Sequence, residues 1–158
     1  MNTLHVLSGD FVAGSETSTA ALIRAQDQDG HRAFVASGRF PHQTPAQFIP
    51  IPIYKRGFFR RILNVLSLMR VIRREKIDVV HAHSRAASWV SYWACRFTKT
   101  PYLSTLHGRQ HLHFSNKNFN IYGPRCAVVC ENIREQMLKE TKVFRPDQLV
   151  IVRNGLEL

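Results

Sequence analysis

The chain has 158 residues, enough for one domain with its own core. Hydrophobic residues make up 44%, ordinary for a globular fold, and no apolar run approaches the roughly 18 residues of a membrane-crossing helix. Lys and Arg number 22 against 11 Asp and Glu, so the net charge of +11 favours anionic partners. The first residues lack the basic and apolar regions of a secretory signal. Three cysteines, Cys95, Cys126 and Cys130, form an odd set, with the last two around an apolar strand. Structural thiols in a reducing compartment fit this pattern better than a redox or metal site.

In chain order, residues 4–8 read as a first strand and 19–28 as a helix stopped by Asp29-Gly30. Residues 32–36 form a second strand. Residues 48–53 are extended, and their two prolines push them to a sheet edge. A helical period runs over 58–75, followed by a buried strand over 78–83 and a helix over 86–97. Strands at 102–106, 127–130 and 149–152 follow, with a helix at 133–142 before the last. Strands that are apolar throughout are buried on both faces, and their alternation with helices predicts βαβ units. The expected fold is an α/β open, doubly wound parallel sheet, a Rossmann-like lobe. Residues 1–152 form that lobe, and residues 153–158 begin a hinge.

Ligands of such sheets bind beyond the carboxyl ends of the strands. The first such loop runs through Ser8-Gly9-Asp10 to Gly14-Ser15-Glu16. Backbone N–H groups entering a helix there suit a phosphate or a sugar hydroxyl, and Glu16 can cap the helix or bind a hydroxyl. The loop has neither a GxGxxG fingerprint nor a Walker lysine, so a plain strand–helix connection stays equally open. The 78–83 strand ends in His81, His83, Ser84 and Arg85. His81 fits a hydrogen-bonded core histidine better than a site residue; His83, Ser84 and Arg85 fall at the strand end as candidate acceptor or anion contacts, with a structural role for Arg85 equally open. His107 in Thr105-Leu106-His107-Gly108 is the strongest single catalytic candidate, an imidazole facing the cleft. His107, His111 and His113 are spaced by four and two with no carboxylate or cysteine nearby, which falls short of a metal motif. Residues 109–120, starting at Arg109, read instead as a polar, basic loop that meets an acceptor.

Between Lys55 and Lys76, eight basic residues face one acid, a net +7 of the chain's +11. A helical wheel puts Phe58, Phe59, Ile62, Val65, Leu66, Met69 and Ile72 on one side, with Arg73 within the stripe near its end. Arg60, Asn64, Ser67, Arg74 and Glu75 fall opposite, and Leu63, Leu68 and Val71 lie off the stripe, toward solvent. Lys55, Arg56, Arg60, Arg61, Arg73 and Arg74 around phenylalanines describe an interfacial helix on anionic lipid. An ordinary packing helix with a solvated basic face is the plainer alternative. No nucleic-acid-binding motif accompanies the charge.

Five motifs occur in order: Gly14-Ser15-Glu16, Asp29-Gly30-His31-Arg32, Asp78-Val79-Val80-His81-Ala82-His83, Thr105-Leu106-His107-Gly108 and Val152-Arg153-Asn154-Gly155-Leu156. In this the chain resembles the N-terminal lobe of GT-B glycosyltransferases of the large retaining class called family 4. The resemblance implies an acceptor-binding lobe facing a second lobe that holds a nucleotide-sugar. It also implies metal-independent transfer with retention and no cofactor beyond that co-substrate. By the same analogy, Gly14 and Ser15 approach the donor phosphates, His107 contacts the transferring sugar, and Asn154-Gly155 resembles the interlobe hinge. Two departures stand out: the usual glycine pair is Ala13-Gly14 here, and Cys130-Glu131-Asn132 stands where serine and a small or acidic residue are usual. The expected activity is glycosyl transfer onto a lipid-linked or lipopolysaccharide-type envelope glycan at the cytoplasmic face of a membrane, with the isolated chain inactive. The alternatives are a non-catalytic membrane-binding subunit that recruits a separate donor-binding partner, and a flavodoxin-like phosphate-binding module.

Overall fold

A computed structural model describes residues 1–9, 14–54, 57–110 and 119–153. Seven strands form one sheet: β1 (Asn2–Val6), β2 (Arg32–Ser37), β3 (Gln47–Pro50), β4 (Val79–Ala82), β5 (Tyr102–Leu106), β6 (Cys126–Val128) and β7 (Leu149–Ile151). Their order is β3-β2-β1-β4-β5-β6-β7 and every pairing is parallel. The helices are α1 (Gly14–Gln28), α2 (Phe58–Arg74), α3 (Arg85–Thr98) and α4 (Glu131–Glu140), with a short 3-10 turn (Pro146–Gln148) before β7. This is the predicted doubly wound sheet. β3, which ends on Pro50, is an edge strand as expected, because Pro50 has no N–H to give a second neighbour.

Strand alternation divides the core into two faces. Leu4, Val6, Phe34, Ala36, Val80 and Ala82 face Val65, Leu68, Val71 and Ile72 of α2 and Val90 and Ala94 of α3. On the opposite face, Leu7, Ala33 and Val35 pack against Ile23 of α1. Leu106, Cys126, Val128 and Leu149 continue the first face against Ile133 and Met137 of α4. The thiols of Cys95 and Cys126 are buried, whereas Cys130 is exposed at the start of α4 rather than buried beside the strand.

The structure corrects the reading of α2. Its buried residues are Asn64, Val65, Leu68, Val71 and Ile72. Leu68 is 0% exposed and Val71 7%, so two residues assigned to solvent are core. Asn64, assigned to the polar face, is buried with its Nδ2 donating to the Pro52 carbonyl at 3.2 Å. Phe58, Phe59, Ile62, Leu63 and Leu66 are exposed, at 70% and 80% for the two phenylalanines. The helix carries two apolar stripes, and a wheel drawn on hydrophobicity alone fell between them. Which one is buried depends on the sheet and α3.

Candidate functional site at the switch between β1 and β4

Strand order reverses at β1, whose neighbours are β2 and β4. Connections leave the two strands toward opposite faces of the sheet there, opening a crevice at their carboxyl ends. The chain leaves β1 through Leu7-Ser8-Gly9, β4 through His83-Ser84 and β5 through His107. Gly9 has φ +74°, and a Cβ there would stand 2.3 Å from Ser37 Oγ, so glycine is required for the chain to leave β1 this way.

The register explains why imidazoles gather at this crevice. His5 pairs with His81, and His81 with Leu103. Residues two apart share a face, so His5, His81, His83, Thr105 and His107 all point to the α1 side. His5 Nδ1 lies 3.0 Å from His83 Nε2, and His83 Nδ1 lies 3.2 Å from His107 Nε2. His5 Nε2 meets Gln26 Oε1 of α1 at 2.9 Å, and His81 Nε2 meets Thr105 Oγ1 at 2.7 Å. Burial holds the His5 imidazole down at about 4, against a weaker upward pull from its Gln26 hydrogen bond. Burial, then the neighbouring imidazoles, push His81 and His83 well below the usual histidine range. His107 is also lowered by burial, with the charge of Glu16 opposing. The column is therefore neutral at physiological pH.

The sequence-predicted residues divide clearly. Gly14, Ser15 and Glu16 form the first turn of α1, which begins five residues before the expected start at residue 19. Glu16 is 3% exposed and accepts from Ser15 Oγ at 2.7 Å. His83 is 4% exposed and joins His107. Ser84 caps α3, its Oγ accepting from the Ala87 N–H at 3.2 Å. Arg85 opens α3, and its charge is felt by the phenol of Tyr122, which burial pushes up to about 12. Arg109 lies on the surface, 3.6 Å from Glu140 of α4, and the following residue, Gln110, is tied to α4 through Gln136. Lys55, Arg56, His111, His113 and the Asn154-Gly155 segment lie outside the described residues. Sequence reasoning missed His5 and Gln26. The available signal was a histidine within an otherwise apolar strand, matched by two more in the 78–83 strand.

One nitrogen from each of His5, His81 and His83 lies within 4.8 Å of the others, close enough to raise a metal reading. His81 lies against His83 with centroids 4.0 Å apart and the rings tilted by 38°, and its Nε2 is engaged by Thr105. Hydrogen bonds already engage both ring nitrogens of His5 and His83 and the Nε2 of His81.

The α2 helix borders the same end of the molecule. In a parallel sheet, a helix that follows a strand starts near that strand's carboxyl end. The exposed Phe58 and Phe59 therefore sit toward the site end, while Arg73 and Arg74 lie about 20 Å along the axis. Among the described basic residues, Arg60 and Arg61 are thus separated along the helix from Arg73 and Arg74. Arg61 is 5.2 Å from the ring centroid of Trp89, a cation–π contact tying it to α3. No helix among the described residues is long and apolar enough to cross a membrane.

A parallel sheet with its order reversed at β1, and a helix N-terminus and imidazoles at the reversal, define a Rossmann-like lobe with its site at the switch point. Residues 12–158 match the model of Glycosyltransferase Family 4, and the chain belongs to that family. It is 25% identical over 125 residues to the UDP-Gal:alpha-D-GlcNAc-diphosphoundecaprenol alpha-1,3-galactosyltransferase of Escherichia coli, covering 72% of this chain and 32% of that one. The fold superposes on a glycosyltransferase from Rickettsia africae with a TM-score of 0.83 and 23% identity, over 98% of this chain and 43% of that one. It also superposes on the lipopolysaccharide outer core galactosyltransferase WaaB with a TM-score of 0.76 and 12% identity, over 99% and 46%. The chain thus spans less than half the length of each of these relatives.

Proposed function

We propose that this chain is the acceptor-side lobe of a glycosyltransferase that moves a sugar from a nucleotide-sugar onto a lipid-linked or cell-envelope glycan, working against the inner face of a membrane. The carrying observation is that His107, His83 and the first turn of α1 meet at the carboxyl ends of β1, β4 and β5, the end toward which α2 exposes Phe58 and Phe59. Family membership and the lipid-diphosphate substrate in the name of the E. coli relative support the reading.

The donor is held by a second lobe beyond the hinge at residues 153–158, so the isolated lobe transfers nothing. Transfer proceeds with retention and without a metal, as the family resemblance implies. The reaction demands stabilisation of an oxocarbenium-like sugar and a departing diphosphate. The N–H groups opening α1 and the Arg85 guanidinium offer positive potential. Glu16 already places a carboxylate in that first turn. A sugar hydroxyl therefore fits beside Glu16 better than a second anion does, and the diphosphate lies nearer Gly14 and Arg85. His107 contacts the transferring sugar. The exposed apolar stripe of α2, flanked by arginines, rests on anionic lipid as a peripheral contact.

The test is transfer by the full-length enzyme from a panel of nucleotide-sugars to a polyprenyl-diphosphate-linked sugar, with and without anionic vesicles. Transfer that rises on vesicles supports the reading. Transfer to free water-soluble glycans alone, indifferent to vesicles, overturns the membrane and lipid-acceptor parts of it.

A further inference from the structure

We propose that Gln26, His5 and His83 are positioning residues: a buried hydrogen-bonded chain that fixes the proton and orientation of His107, so that His107 offers an unprotonated Nδ1 to a sugar hydroxyl. The proposal rests on the reading of His107 as the sugar-facing group and assigns how that group acts.

The direction of the chain follows from its anchor. Gln26 turns Oε1 toward His5 Nε2 at 2.9 Å, and an amide oxygen only accepts, so His5 Nε2 carries the proton. A neutral imidazole has one N–H, so His5 Nδ1 is bare and accepts from His83 Nε2 at 3.0 Å. His83 Nδ1 is then bare and accepts from His107 Nε2 at 3.2 Å. The last ring is left with a bare Nδ1. That atom is buried and has no hydrogen-bond partner among the described residues. A chain running the other way would end instead on a buried N–H, the more costly group to leave unmet.

The surroundings keep the chain in one state. His5 is 0% exposed and His83 4%, so water does not compete for their nitrogens. His81, held by Thr105, lies tilted against His83 with ring centroids 4.0 Å apart and restricts the ring at the middle of the chain. Among the described groups, Glu16 is the carboxylate whose charge reaches His107, and the imidazoles of His81 and His83 are its other titratable neighbours. A bare Nδ1 accepts from a hydroxyl and repels a carbonyl or phosphate oxygen. It therefore selects a sugar carrying a hydroxyl at that position over its deoxy or fluoro analogue.

Long-range proton–nitrogen NMR of the imidazole rings in the nitrogen-labelled chain at neutral pH tests this without needing activity. The expected result is the Nε2–H tautomer for His5, His83 and His107. Gln26→Glu preserves the pattern, because a carboxylate also only accepts. Gln26→Leu removes the anchor and turns His107 into a mixture of tautomers, while amide signals far from Gln26 stay in place. An Nδ1–H tautomer of His107 in the unaltered chain overturns the proposal, and so does an unmoved His107 in Gln26→Leu. Stoichiometric zinc that shifts His5, His81 and His83 together also overturns it, in favour of a metal site. The unaltered chain alone decides the tautomer if Gln26→Leu does not fold. Unchanged turnover in His107→Ala of the full-length enzyme would remove the sugar-facing role, and the ring spectra would still judge the chain.

Discussion

His83 Nδ1 lies 3.2 Å from His107 Nε2, linking the end of β4 to the end of β5 across the carboxyl edge of the sheet. The contact joins a buried ring to one that borders the crevice. It makes the position of the candidate catalytic imidazole depend on the core.

Removal of His83 should therefore be felt twice. His83→Leu leaves His5 Nδ1 and His107 Nε2 without their partner, each at a cost of about 1–3 kcal/mol. The expected loss in unfolding free energy is about 2–6 kcal/mol in a urea titration. A change below about 0.5 kcal/mol, the range of a neutral surface substitution, would show that the contacts are not formed in solution.

In the full-length enzyme, His107→Ala should lower kcat by about 100-fold, with acceptor KM changed far less. Steady-state kinetics at saturating donor measure the split. A rise in KM at constant kcat would make His107 a binding group and not a transition-state contact.

Stability should fall on acidification. The folded pKa of His5 is about 4, below its ordinary 6.5, so the folded protein binds fewer protons than the unfolded chain between those values. This contribution, about 3 kcal/mol, is complete above pH 6.5 and is lost as pH falls toward 4. His81, His83 and His107 are lowered as well and act in the same direction. A melting temperature that stays level from neutral pH down through this window would contradict a neutral column.

The two stripes of α2 should respond oppositely to truncation. Leu68→Ala, at a fully buried position, should cost about 3 kcal/mol. Leu63→Ala, 53% exposed, should stay within about 0.5 kcal/mol. Equal effects would mean that the helix is rotated from the position described.

Vesicle sedimentation checks the exposed stripe directly. Phe58→Ser with Phe59→Ser should release the chain from anionic vesicles, as should joint replacement of Arg60, Arg61, Arg73 and Arg74 by Ala. Binding by the arginine variant should be weak even at low salt, since each basic residue near the surface contributes about 1 kcal/mol. Equal binding by all three proteins would sink the interfacial role.

Much of this molecule is determined by sequence alone. Runs such as Val79-Val80 and Ala127-Val128 are apolar without alternation, which demands a strand covered on both faces. Their alternation with helices forces parallel order and crossovers, and that order puts His83 and His107 at ligand-binding ends. These are local patterns, legible wherever the chain is cut.

Tertiary structure decided the rest, because it depends on what packs against what. His5 meets His83 only through the register of β1 on β4, and meets Gln26 only through the seating of α1. Arg109, two residues from His107 in sequence, leans instead on Glu140 of α4. In α2, local hydrophobicity offered two stripes of similar merit. The sheet and α3 bury the one that includes Leu68 and Val71, and Phe58 and Phe59 are left in solvent. Periodicity ranks the faces of an isolated helix; burial is settled by the surface the helix docks on.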